Sequence, residues 1–120
     1  MKAVYLSIVG NTRKFVEKLE VESLELSEST VYTEMDEPFV LITPTYEIEA
    51  TDVNNDFLET GNNLALCKGV IGCGNLNFES LYCFTAKDLA EDYNIPVLYM
   101  LEFMGSQKDV EAVKKLLQTV

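Results

Sequence analysis

The sequence predicts an α/β fold: a doubly wound, five-stranded parallel sheet with strand order 2-1-3-4-5 and helices on both faces, three layers in all. Short apolar runs alternate with stretches whose apolar residues recur every three or four positions, so strands alternate with helices. The run at residues 39–42 is apolar without interruption, which is typical of a strand buried on both faces. The 120 residues suit a single domain, 1–120.

The first predicted strand covers residues 3–6 and leads through a polar loop into a helix. Phe15, Val16 and Leu19 share one face of that helix. Residues 21–26 have the composition of a second strand, and the polar stretch after them shows no helical period. Since about twelve residues suffice for a parallel crossover, this stretch can lead to the third strand, at 39–42, without a helix.

The strand–helix pattern continues in the second half of the chain. Residues 47–51 are expected to form a loop, and Asp52 to cap a short helix that ends near Gly61. The remaining elements before the last helix are a strand at 66–74, a helix with Tyr82, Ala86, Leu89, Ala90 and Tyr93 on one face, and a strand at 97–103.

Ser106 and Asp109 have the spacing of a capping box, which predicts where the final helix begins. Its core-facing residues are expected to be Val110, Val113, Leu117 and Val120. This helix completes the order βα, β, βα, βα, βα.

Polar loops follow the first, third and fourth predicted strands, at residues 7–12, 43–49 and 74–78. In a sheet of this kind the strand order reverses between the first and third strands. Ligands bind outside the carboxyl ends of the strands at that point. We therefore expect the three loops to form one ligand site.

The first of these loops, Ser7-Ile8-Val9-Gly10-Asn11-Thr12, has the composition of a phosphate site. The loop and the start of the helix offer backbone N–H groups and the positive end of the helix dipole. Hydroxyl and amide groups add further donors, and Gly10 tolerates unusual dihedral angles.

Two basic residues, Arg13 and Lys14, open the helix and oppose its dipole. A bound anion would explain them. The alternative is an ordinary N-cap at Asn11 or Thr12, with both basic side chains in solvent.

The charge and hydropathy of the chain narrow the classes of partner. Twenty acidic and nine basic residues give a net charge of −11, so we expect no binding to nucleic acid or to an anionic membrane surface. No apolar run reaches the ~20 residues that a membrane span needs, and no signal peptide is visible. These features predict a cytoplasmic protein.

Histidine is absent, which excludes Ser-His-Asp and Cys-His catalysis and histidine-ligated metal sites. Cys67, Cys73 and Cys83 contain no C-x-x-C pair and are predicted to be buried, reduced thiols. We predict no metal site. Any chemistry must come from carboxylates or from a cofactor.

Three stretches together resemble one known family. The pattern Ser-x-x-Gly-Asn-Thr at residues 7–12 resembles the phosphate loop of flavodoxin-like proteins. Two further features are similar to the NrdI family, the stimulatory accessory proteins of class Ib ribonucleotide reductase. They are Gly-Asn-x-Asn-Phe at 74–78 and Phe-x-Gly-Ser at 103–106. The resemblance covers the full length of the chain. The chain is short and lacks a helix between the second and third predicted strands, which also fits this family, and the resemblance implies a flavodoxin-like fold.

This resemblance implies an FMN-binding redox protein that activates class Ib ribonucleotide reductase. In the family, the reduced flavin reduces dioxygen to superoxide or peroxide, which serves assembly of the dimanganese–tyrosyl radical cofactor of the small subunit. The implied partners are that subunit and a flavin or flavodoxin reductase as electron source. The protein would be an accessory flavoprotein rather than a self-standing enzyme, with no catalytic residues of its own.

The resemblance also implies the residues that bind FMN. The phosphate would lie in the loop formed by Ser7, Ile8, Val9, Gly10, Asn11 and Thr12. One side of the ring would be lined by Thr43, Pro44, Thr45, Tyr46 and Glu47, and the other by Gly74, Asn75, Asn77 and Phe78. Tyr46 and Phe78 are candidates to stack on the isoalloxazine, or they are ordinary aromatics that anchor their loops.

Two alternatives remain open at this stage. One is a plain flavodoxin-type electron carrier, which would share fold and cofactor but not partner; the short chain and the Gly-Asn-x-Asn loop weigh against it. The other is a flavin-free, degenerate paralogue that acts as a protein-interaction module.

Overall fold

Five parallel strands form a sheet in the computed structural model, and their order is β2-β1-β3-β4-β5. The strands are β1 Lys2–Tyr5, β2 Ser23–Glu25, β3 Phe39–Thr43, β4 Cys67–Gly74 and β5 Val97–Glu102. The structure describes residues 1–119, without the side chains of Ile48, Phe78, Glu79 and Ser80. The predicted doubly wound parallel sheet and its strand order are confirmed.

Helices connect most of the strands. They are α1 Asn11–Leu19, α2 Ile48–Thr51, α3 Val53–Leu58, α4 Asn63–Leu66, α5 Phe84–Tyr93 and α6 Gln107–Thr119, with a 3-10 helix at Leu76–Leu81. Within residues 1–119, no helix combines the length and the apolar character that crossing a membrane requires.

The sheet separates two apolar cores. Successive side chains of a strand point to opposite faces, so Tyr5 belongs to one core and Val4 to the other. Helices α1 and α6 cover the first core through Phe15, Val16, Leu19, Val110, Val113 and Leu117. Helices α3 and α5 cover the second through Phe57, Leu58, Ala86 and Leu89. The expected core position of Val120 lies outside the described residues.

Several predicted boundaries are wrong because short helical turns are not visible as a pattern in the sequence. Residues 47–51, expected to be a loop, contain α2. Asp52 does not cap α3, because its own backbone is helical (φ −61°, ψ −21°) and its side chain makes no capping bond. The strand expected from residue 66 begins at Cys67, because Leu66 ends α4.

Backbone conformations with positive φ set two other boundaries. Cys83 has a φ of 53°, so α5 begins at Phe84 and the predicted helix position of Tyr82 precedes it. Phe103 has a φ of 52°, which a strand does not accommodate, so β5 ends one residue before the prediction. The start of α6 is as predicted. Asp109 N–H donates to Ser106 Oγ over 3.3 Å, and Ser106 N–H donates to Asp109 Oδ2 over 2.9 Å.

The connection between β2 and β3 has no helix, as predicted, and a buried amide holds it. The Asn63 side chain is fully buried. Its Oδ1 accepts from Met35 N–H over 2.7 Å, and its Nδ2 donates to the carbonyl oxygens of Thr33 and Phe57, each over 2.9 Å. The sequence analysis missed this anchor.

We expect Asn63→Ala to lower the free energy of unfolding by about 2–4 kcal/mol, because it leaves buried backbone groups without partners. The measurement is urea unfolding followed by circular dichroism. The neighbouring Asn62 is exposed and makes no capping bond, so Asn62→Ala should change stability by less than about 0.5 kcal/mol. Equal losses in the two variants would contradict the anchoring role.

Candidate functional site

The loops that follow β1, β3 and β4 meet around a cavity of about 590 Å³ at the carboxyl edge of the sheet. Most of the predicted site residues line it, namely Ile8, Val9, Asn11, Thr12, Pro44, Thr45, Tyr46, Glu47, Gly74 and Asn75. Four residues outside the predicted set of site residues also line it, namely Cys73, Leu81, Phe84 and Phe103. Three segments far apart in sequence therefore form one concave site.

The first loop enters α1 through Gly10, whose φ of 97° lies in the region that favours glycine. Gly10 is the N-cap residue and no side chain caps the helix there, so the alternative of a cap at Asn11 or Thr12 is wrong. The first N–H groups of α1 have no partners within the helix and point out of its N-terminal end. The predicted site residues Ser7 and Gly10 do not line the cavity. Ser7 Oγ accepts from Arg13 N–H over 3.3 Å, so that N–H group of α1 already has a partner.

Arg13 does not point toward the loop. Its guanidinium forms a two-point contact with the Glu25 carboxylate, in which the Nε–Oε1 distance is 2.9 Å. Tyr5 donates a hydroxyl hydrogen bond to the same carboxylate over 2.9 Å. The hydrogen bond from Arg13 is the main reason that the pKa of Glu25 lies below its usual value. An acidic neighbour on β2 accounts for the arginine at this helix end.

The second loop is fixed to the elements on either side of it. Thr45 Oγ1 donates to the carbonyl oxygen of Cys73 over 2.8 Å. The backbone N–H and C=O of Tyr46 both contact the Thr85 hydroxyl of α5, over 3.4 and 3.3 Å. Thr43 is fully buried and does not line the cavity; its Oγ1 accepts from the Asn54 amide over 2.8 Å. Its position is therefore structural.

The third loop is held by polar contacts across the edge of the sheet. Glu102 Oε2 accepts from Leu76 N–H over 3.0 Å, and Phe103 N–H donates to the Gly74 carbonyl oxygen over 3.1 Å. Asn77 is exposed, does not line the cavity, and donates its N–H to Asn75 Oδ1 over 2.9 Å. The Phe78 side chain lies outside the described part of the chain, so its stacking role stays a prediction.

Apolar side chains that the sequence analysis missed form much of the wall. Leu81 is 59% exposed and Phe103 is 50% exposed, although both are large and apolar. Phe84 is half-buried beside them at the start of α5. The cavity thus combines hydrogen-bond donors at the α1 end with aromatic and aliphatic groups elsewhere.

Comparison with known proteins identifies the family. A family model described as "NrdI Flavodoxin like" matches residues 3–115. The chain belongs to this family. A putative NrdI-like protein of Streptococcus pneumoniae is 34% identical over an alignment of 140 positions, gaps included, which covers 95% of this chain and 90% of that protein. An NrdI protein of Rhodococcus opacus is 37% identical over an alignment of 123 positions, which covers 92% of this chain and 81% of that protein.

Solved structures show the same fold at lower identity. An oxidised flavodoxin 2 from Bacillus cereus aligns with a TM-score of 0.69 and 19% identity, over 96% of this chain and 92% of that one. A short-chain flavodoxin associated with a PDU bacterial microcompartment aligns with a TM-score of 0.67 and 16% identity, over 98% and 93%. Membership of the NrdI flavodoxin-like family implies a flavin cofactor and an association with ribonucleotide reductase.

The cysteines of this NrdI-type flavodoxin are free and buried. Burial raises the pKa of Cys67 to about 11 and that of Cys73 to about 12, and it also raises the pKa of Cys83. Cys73 lines the cavity but is only 4% exposed. All three groups are therefore neutral thiols at pH 8, and a neutral thiol is a poor nucleophile.

We expect the native protein to react negligibly with Ellman's reagent at pH 8 within minutes. Unfolding in urea should expose Cys67, Cys73 and Cys83, so that all of them react. The measurement is the absorbance of released thionitrobenzoate. Rapid reaction of a native thiol that disappears in Cys73→Ser would contradict the predicted inertness of the cavity cysteine.

Proposed function

We propose that this chain is an FMN-binding redox protein that activates class Ib ribonucleotide reductase. The bound, reduced flavin would supply the electrons that convert dioxygen to superoxide or peroxide. That oxidant would serve assembly of the dimanganese–tyrosyl radical cofactor of the small subunit. A flavin or flavodoxin reductase would deliver electrons to the protein.

The observation that carries the proposal is the cavity itself. Its volume of about 590 Å³ falls in the range of pockets that hold a small ligand. One end presents Asn11, Thr12 and the start of α1, whose first N–H groups and dipole suit a phosphate. The rest of the wall contains Tyr46, Phe84 and Phe103, which suit a planar ring system. The residues present therefore fit a flavin mononucleotide.

The chain's own residues would bind the cofactor and exclude water. Gly10 allows the loop to turn into α1 at a φ of 97°, a backbone conformation that a residue with a side chain would adopt only with strain. Thr12 is buried beneath the loop, and Asn11 is half-buried at its edge. The apolar groups of the wall would exclude part of the water from the ring, which would strengthen the effect of each nearby dipole on the flavin.

The exposed rim of the cavity favours an accessory protein over a plain electron carrier. Val9, Leu81 and Phe103 are each at least half exposed and all line the cavity mouth. Grouped exposed apolar side chains are typical of protein–protein contact sites. A partner that covers them would bury its oxidant-accepting face next to the flavin, which is what delivery of a short-lived oxidant requires.

We expect FMN to bind far more tightly than riboflavin, because the phosphate accounts for the charge-assisted hydrogen bonds at the α1 end. Asn11→Ala and Thr12→Ala should each weaken FMN binding by roughly 1–3 kcal/mol. Quenching of flavin fluorescence measures the dissociation constants. Thr33→Ala, an exposed position outside the cavity, is the control and should leave binding unchanged.

Equal affinities for FMN and riboflavin would rule out the proposed phosphate site. Activation is tested separately by adding the reduced, FMN-loaded protein to a manganese(II)-loaded small subunit and then admitting dioxygen. Electron paramagnetic resonance should detect a tyrosyl radical that free reduced FMN does not produce. Normal flavin binding without radical formation would favour an electron carrier, and absence of flavin binding would favour an interaction module.

Two acidic residues that sequence analysis placed in the same loop differ in position. Both side chains are exposed, but Glu47 lines the cavity and Glu49, on α2, does not. We expect Glu47→Gln to raise the midpoint potential of the bound flavin by about 20–50 mV, because a nearby carboxylate opposes added electrons. Glu49→Gln removes the same charge and should have a smaller effect. Spectroelectrochemical titration at low salt measures both, and equal shifts would exclude a role specific to Glu47.

A further inference from the structure

We propose that Glu25 is a positioning residue for the phosphate end of the cavity. Its carboxylate holds the Arg13 guanidinium against β2, so that the cofactor phosphate is left to the neutral donors of the first loop and of α1. This role rests on the proposed function, since it changes cofactor binding only if FMN occupies the cavity.

The contacts of the Glu25 carboxylate support the first step. Glu25 is the last residue of β2 and pairs in register with Tyr5, the last residue of β1. Arg13 Nε donates to Oε1 over 2.9 Å, and Arg13 Nη2 donates to Oε2. The Tyr5 hydroxyl also donates to Oε1, and Thr30 Oγ1 donates to the Glu25 carbonyl oxygen over 2.7 Å. Both the backbone and the carboxylate of Glu25 are therefore fixed, and the two-point pair fixes the guanidinium.

The second step concerns the residue that Glu25 holds. Arg13 is the only arginine of the chain, and the other eight basic residues are lysines. A guanidinium can form a two-point contact with a carboxylate or with a phosphate, which a lysine ammonium cannot. Arg13 lies in the first turn of α1, and helical side chains lean toward the N-terminus of their helix. That is the end where the phosphate is proposed to bind, so Glu25 and the phosphate would compete for one guanidinium.

The third step is that the pair affects the direction of Arg13 more than it affects the fold. The Arg13 and Glu25 side chains are 48% and 33% exposed, and exposed ion pairs contribute little to stability. The buried side chains of Phe15, Val16 and Leu19 hold α1 in the core without the pair. Loss of the carboxylate should therefore release Arg13 and leave the first loop in place.

The first test uses the protein without flavin and compares the unaltered chain with Glu25→Gln, which keeps the size of the side chain and removes its charge. Because the chain has one arginine, its Nε–H gives a single NMR signal in the arginine region. We expect this proton to exchange with solvent several-fold faster in Glu25→Gln. Unchanged exchange in the folded variant would overturn the positioning role.

The second test measures FMN and riboflavin binding by fluorescence quenching. Glu25→Gln should bind FMN about two- to fivefold more tightly at low salt, the range of an exposed ion pair, with riboflavin binding unchanged. Its FMN affinity should also fall more steeply with added salt, because a cation now contacts the phosphate. Weaker FMN binding would overturn the inference, since it would show that the carboxylate supports the site.

Two control variants separate release of Arg13 from the loss of a negative charge. Glu28→Gln removes the same charge from an exposed position on the turn after β2 and should leave FMN binding unchanged. Glu25→Gln combined with Arg13→Met removes both charges of the pair and should return the FMN affinity to near that of the unaltered protein. A gain that persists without Arg13 would overturn the inference. If the unaltered protein binds no FMN, the proposed function fails, while the NMR experiment still decides whether Glu25 holds Arg13.

Discussion

The burial of β3 is the constraint on which the site depends. All five of its residues are buried, and it pairs with β1 on one side and β4 on the other. Because the three strands are parallel, their carboxyl ends fall on one edge of the sheet. The chain that leaves β3 must therefore emerge between the loops after β1 and β4. The position of the cavity follows from strand order, and its lining residues determine only what it binds.

The sequence was sufficient to predict the features that depend on neighbouring residues, such as strands and helix starts. The uninterrupted apolar run became the central strand, and the Ser106–Asp109 spacing located the start of α6. Long-range contacts were not predictable in this way. Asn63 reaches Met35 across 28 positions and Thr85 reaches Tyr46 across 39, and no periodicity links such partners. Phe84 was missed because neither a helical nor a strand pattern shows the turn that directs it to the cavity. Phe103 was predicted as the end of a strand and as part of the motif at 103–106, but not as a residue of the cavity wall.

The cations near the sheet edges are largely engaged by the acidic surface of the chain itself. Lys2 lies within 4.0 Å of carboxylates of Glu22, Asp36 and Glu37, and Arg13 pairs with Glu25. An anion bound at the first loop would therefore be held by backbone N–H groups, hydroxyls and the α1 dipole rather than by Arg13. Neutral donors make such binding less sensitive to salt than pairing with a surface cation would be.

At Phe103, a backbone conformation that costs stability coincides with a side chain that forms part of the cavity wall. Its left-handed conformation costs a residue with a side chain about 1–2 kcal/mol, whereas glycine adopts it without strain. A glycine substitution that relaxes this turn would also remove an aromatic ring from the cavity wall and from the exposed rim. The conformational strain at Phe103 and the position of its ring in the cavity wall therefore cannot be changed independently by this substitution. A thermostable homologue with glycine at this position would need another side chain to close the same wall.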